Sequence, residues 1–178
     1  MRKLISTILA LCMVLCLLPV TAAADDANPA VSTETVKLDV GAGNVENDEY
    51  KIMDDAINIR KDGVVYELTG TTDKKLQMWG SNSPDPVKTF YLRLNGATIN
   101  GGITITNPSG AKLVIEVVDG TENTVQRIVA VDLTITGAGT INSEDLSVTQ
   151  SWETANLSKL YIKDTKIIVN RMTGNASE

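Results

Sequence analysis

One pattern constrains this chain more than any other: short segments of strict period-two alternation that return along its length. In Leu92-Arg93-Leu94, Leu113-Val114-Ile115-Glu116-Val117, Leu133-Thr134-Ile135 and Leu160-Tyr161-Ile162-Lys163, every second residue is aliphatic and most of those between are polar. This is strand patterning, with one face buried and the other wet. Val, Ile and Thr are abundant, and Asn-Gly, Asp-Gly and Gly-Ala-Gly cut the runs, so helix signals are weak. The only segment that reads as a helix is 47–56.

The segments also resemble one another. Leu92-Arg93-Leu94-Asn95-Gly96-Ala97-Thr98-Ile99-Asn100 aligns with Leu133-Thr134-Ile135-Thr136-Gly137-Ala138-Gly139-Thr140-Ile141-Asn142 after one insertion, and with Leu160-Tyr161-Ile162-Lys163-Asp164-Thr165-Lys166-Ile167 without any. The leading leucines fall at 92, 113, 133 and 160, a spacing of roughly 20–27 residues that suits a solenoid whose repeats bury their apolar faces only by stacking. The expected fold is therefore all-β, a short right-handed parallel β-helix, with a β-sandwich as the alternative. One continuous core is expected from Leu92, Leu94, Ile103, Ile105, Leu113, Ile115, Val117, Leu133, Ile135, Leu160 and Ile162. Tyr66, which alternates with Val64 and Leu68, is expected to join it.

The amino terminus reads as an export signal. Arg2 and Lys3 precede an apolar stretch over 4–20, and Ala22-Ala23-Ala24 stands directly before Asp25-Asp26. The expected organisation is a signal peptide over 1–24, a small polar leader over 25–35 and one β domain over 36–178, which its end at Glu178 makes a short protein or a fragment of a longer one. The expected location is secreted and bacterial, with no membrane association after cleavage. Cys12 and Cys16 both lie in the signal, so no disulfide is expected afterwards. Losing Arg2 and Lys3 takes the net charge from −6 to −8, which argues against a nucleic-acid partner.

Histidine is absent, which removes His-based acid–base catalysis, Ser-His-Asp and Cys-His nucleophiles and the commonest zinc ligand. One enzymatic class survives on residue types alone, a polysaccharide lyase with a carboxylate-held cation and a basic residue. Its candidate bases are Arg93, Arg127 and Arg171, and its carboxylates Asp119, Glu122 and Asp132. The same three carboxylates, near a glycine corner and a later strand, are the candidate calcium ligands. Sugar recognition needs an aromatic face beside hydrogen-bonding groups. Trp79 and Trp152 lie in polar segments, and Tyr91 and Tyr161 fall at outward strand positions, so the candidate carbohydrate-binding set is Trp79, Tyr91, Arg93 and Trp152.

Four pieces in order carry a resemblance over about 57–142. They are Ile59-Arg60-Lys61-Asp62-Gly63-Val64-Val65-Tyr66-Glu67-Leu68-Thr69-Gly70, Leu92-Arg93-Leu94-Asn95-Gly96-Ala97-Thr98-Ile99, Gly120-Thr121-Glu122-Asn123-Thr124-Val125 and Leu133-Thr134-Ile135-Thr136-Gly137-Ala138-Gly139-Thr140. This arrangement resembles the secreted bacterial carbohydrate-binding domains with a pectate-lyase-like right-handed β-helix. The resemblance implies glycan binding at or near the cell surface, with calcium in some members. The chain departs from that pattern by an extra residue between Gly63 and Tyr66, and by a Gly/Ser/Asn/Pro stretch over 77–86 where an acidic one is usual. Three functions are thus expected to compete: a non-catalytic carbohydrate binder, a small calcium-dependent lyase, and a structural or adhesive segment of a larger surface protein.

Overall fold

The structure is a computed structural model, and it describes residues 34–80, 87–106, 110–148 and 159–174. The expected signal over 1–24 and most of the leader lie outside the described residues, as does Trp152. Sixteen strands, and no helix, are found among the described residues. They are β1 (Thr35–Asp39), β2 (Val45–Glu46), β3 (Tyr50–Ile52), β4 (Ala56–Ile59), β5 (Val65–Thr69), β6 (Thr71–Thr72), β7 (Lys75–Trp79) and β8 (Lys88–Leu94). After them come β9 (Thr98–Ile99), β10 (Ile103–Thr106), β11 (Ala111–Val117), β12 (Glu122–Ala130), β13 (Asp132–Gly137), β14 (Thr140–Val148), β15 (Lys159–Lys163) and β16 (Lys166–Gly174).

The fold is all-β and built on two largely parallel sheets. Sheet A has the order β1-β5-β8-β11-β13-β15, and sheet B the order β16-β14-β12-β10-β7-β4-β3-β2, with the short β6 and β9 attached alongside. From β4 onward the chain passes back and forth between the sheets, and every pairing among these later strands is parallel. Antiparallel pairing is confined to β2–β3 and β3–β4.

Alternation fixes the facing. Tyr66, Leu92, Ile115 and Ile135 form one cross-strand ladder in sheet A, and Leu68, Leu94 and Val117 the next. All seven side chains are buried and belong to a single core that also takes Ile103 and Ile105 from sheet B. Tyr66, expected in the core, is enclosed there and donates its hydroxyl hydrogen to the carbonyl oxygens of Glu49 and Lys61. Burial raises its ionisation to about 12.

Four expectations are corrected. Residues 47–56 are not helical: Asn47 Oδ1 accepts from the Glu49 and Tyr50 backbone N–H groups and turns the chain between β2 and β3. Leu113, Leu133 and Leu160 pair in the register read from matching leucines, but Leu92 stacks on Ile115 and it is Phe90 that meets Leu113, so the first step of the repeat is two residues off. A two-residue slip leaves every side chain on its original face, so the core prediction survives it. Leu160 and Ile162 do not complete the core: they pair with Leu133 and Ile135 but stay 37% and 40% exposed, because among the described residues β15 has no further strand beside it. The first strand starts at Thr35, the last residue of the expected leader.

Close packing of successive strands explains the Gly-Ala-Gly corner. Gly137 has φ +105°, and a Cβ there would stand 2.2 Å from the Val117 carbonyl oxygen. Only glycine combines that dihedral with that approach.

Candidate functional site

The outer faces of the two sheets differ in what their side chains do. On sheet A, Lys37, Glu67, Arg93 and Glu116 are successive cross-strand neighbours of alternating charge. Arg93 Nε donates to Glu116 Oε2 at 2.8 Å, and its guanidinium lies 3.9 Å from Glu67 Oε2. Arg93 is thus engaged within its own sheet.

Sheet B carries a corner where the alternation breaks, Gln126 and Arg127 both standing exposed between buried Val125 and Ile128. Ile99, Val125, Ser143 and Val169 are partners in β9, β12, β14 and β16, and the partly or fully buried side chains of this ladder face the core. One residue before them runs an outer row, Thr98, Thr124, Asn142 and Ile168. One residue after them comes a second row, Asn100, Gln126, Glu144 and Asn170. Ladder pairing resumes with Arg127, Asp145 and Arg171. Apart from Thr98, the residues of both rows line a cleft of about 300 Å³, which shares Asn100 and Gln126 with a second cleft of about 640 Å³. The second cleft continues past Asp73, Asp54 and Asp55. With strands about 4.7–4.9 Å apart, the four-membered second row spans roughly 14 Å.

The rows differ from the sheet A face in one respect. No hydrogen bond or ion pair among the described residues engages the side chains of Gln126, Asn142, Glu144 or Asn170, whereas Asn100 Nδ2 donates to Asp73 Oδ1 at 2.8 Å. Three primary amides and a carboxylate therefore face the cleft with donors and acceptors available. Ile168, 48% exposed, adds an apolar patch to the same surface. At the rim, Arg127 and Arg171 both bind Asp145 Oδ2, at 3.2 and 3.1 Å. The Asp145 side chain is 9% exposed, and its Oδ1 is buried without a partner.

The residues expected to bind carbohydrate are not brought together. Trp79 is 52% exposed, but it ends β7 beside Thr106, away from the corner. Tyr91, expected to face outward and be accessible, is only 5% exposed. It stands between Val65 and Val114 on the neighbouring strands, and burial raises its ionisation. Tyr161 is exposed as expected.

The expected calcium ligands do not converge either. Among the described residues no three His, Cys, Asp or Glu are grouped to hold a metal ion. Asp132 has Lys112 and Lys159 as its cross-strand neighbours, Glu122 pairs with Thr140, and Asp119 is exposed in the turn after β11. The cation implied by the family resemblance does not fit these residues.

The rows of the corner went unread in the sequence because each amide is isolated. Their signal is a triplet, a β-branched or small inward residue between two outward ones, as in Thr98-Ile99-Asn100, Thr124-Val125-Gln126, Asn142-Ser143-Glu144 and Ile168-Val169-Asn170. Matching Ile99-Asn100 to Ile141-Asn142 hid it by two residues. No family model matches the chain, and no curated protein or solved structure matches it.

Proposed function

We propose that this chain is an exported bacterial protein that binds carbohydrate without cutting it, at or near the cell surface, and that its strands form a right-handed parallel β-helix. Support for the helix comes from the regular passage between two sheets and from their parallel registers; right-handedness follows the general preference of parallel crossovers. The glycan lies in the corner trough of sheet B. The observation that carries this reading is the row of unengaged amides and one carboxylate around a cleft with an exposed isoleucine. Hydroxyl-rich ligands need such donors and acceptors, with apolar surface for their C–H faces.

Binding is favoured over cleavage by the state of the arginines. Arg93 is held by Glu116, and Arg127 and Arg171 by Asp145. A guanidinium bound to a carboxylate stays protonated and cannot serve as a base. The test is a glycan-array screen of the purified protein, run with calcium and with chelator. Retention of at least one polysaccharide, equal in both conditions, is the expected result. No retention of any glycan, or release of unsaturated products from pectic substrates, would refute the reading.

A further inference from the structure

Resting on that reading, we propose that the trough takes a linear, uncharged glycan laid across the strands, with its units in register with successive rungs, and that Glu144 is the residue that rejects uronates. The direction follows from the register. Gln126, Glu144 and Asn170 occupy equivalent places on β12, β14 and β16, so a hydrogen-bonding side chain recurs at each strand spacing along one line. A recurring row offers equivalent contacts to a recurring ligand, and a single sugar would use only one rung. Along the strands the trough is short, since its lining ends with the second row and the Arg127, Asp145 and Arg171 ladder follows outside it.

Charge selects against acidic polymers. Glu144 lies in the middle of the row with no cationic partner among the described residues, and the adjoining cleft adds Asp54, Asp55 and Asp73 against Lys74 and Lys75. The two rim arginines converge on Asp145, so their positive charge is partly neutralised there. A uronate carboxylate placed on the Glu144 rung would meet a like charge with no counterion, whereas a neutral sugar hydroxyl would donate to it.

Calorimetry with β-1,4-linked gluco-, manno- and xylo-oligosaccharides of two, four and six units, and with tetragalacturonate, tests both parts. At least one neutral series should gain about three- to tenfold in affinity per added unit, as expected for one or two hydrogen bonds each, and level off near four units. Tetragalacturonate should not bind the wild type, and should gain at least tenfold with Glu144→Gln. Dimer and hexamer binding equally would overturn the rung-by-rung placement. Wild-type preference for tetragalacturonate would overturn the charge selection while leaving carbohydrate binding intact, and binding of none of the compounds would overturn both. The length series uses the wild type, so it decides the placement even if the variant does not fold.

Discussion

The outer face of sheet A and the corner of sheet B are built from the same grammar, polar residues set between buried aliphatic ones, yet they do opposite things. On sheet A, Glu67, Arg93 and Glu116 meet across strands and neutralise one another. On sheet B, Gln126, Asn142, Glu144 and Asn170 stand just as regularly and engage nothing described. Regular spacing alone therefore does not mark a site. What distinguishes one is a row whose hydrogen-bonding capacity is left open, and charge alternation is the device that closes the other row.

The comparison depends first on the facing of the strands, and there the effects are largest. Ile135 is fully buried and Thr134 is not, so Ile135→Ala should lose about 2–5 kcal/mol through transfer energy and a residual cavity. Thr134→Ala should stay within about 0.5 kcal/mol. Denaturant melts showing equal losses would break the inner and outer assignment, and with it the contrast between the two faces.

Tyr66 sharpens the same boundary through pH. Its folded ionisation is raised to about 12, above the ordinary value near 10. The folded state thus keeps a proton that the unfolded chain gives up between those values, so this contribution to stability is fully present below about pH 10 and lost as pH rises toward 12. Tyr66→Phe should flatten most of the alkaline decline in melting temperature. The raised Tyr91 leaves a smaller remainder. A decline unchanged in the variant would place the phenol outside the core.

A smaller effect is expected at Arg93, which is about one-third exposed. Exposed pairs contribute little, so Arg93→Ala should lose less than about 1 kcal/mol, and less still in high salt. Glycan binding should be unchanged. Reduced binding in this variant would move the site to sheet A. The smallest change in stability belongs to Asn142→Ala and Asn170→Ala, within about 0.5 kcal/mol of wild type, because neither amide supports the fold. Both should nevertheless weaken glycan retention on an affinity gel, and a large fall in melting temperature with retention intact would reverse the roles of the two faces.

Much of the core could be read from the sequence, because burial is written in alternation. Leu92, Leu113 and Leu133 are enclosed as the period predicts, and a register error of two residues does not change a facing of period two. Leu160 and Ile162 carry the same pattern and fail, since enclosure also requires a neighbouring strand that local sequence does not reveal. Arg93 could be placed on an outer face but not paired, because Glu67 and Glu116 are distant in sequence and meet it only through register. The helix over 47–56 misled because the turn made by Asn47 depends on a side chain capturing two backbone N–H groups, which residue types alone do not settle. The trough was hidden for a related reason: an amide row acquires meaning only when several strands align.

The most direct test follows backbone amide shifts by NMR while a retained glycan is titrated into the protein. The account predicts that the largest changes fall on residues 124–126, 142–144 and 168–170, with those of β8 and β11 around Arg93 and Glu116 unmoved. Changes centred on Arg93, or on Trp79 at the end of β7, with the corner silent, would contradict it.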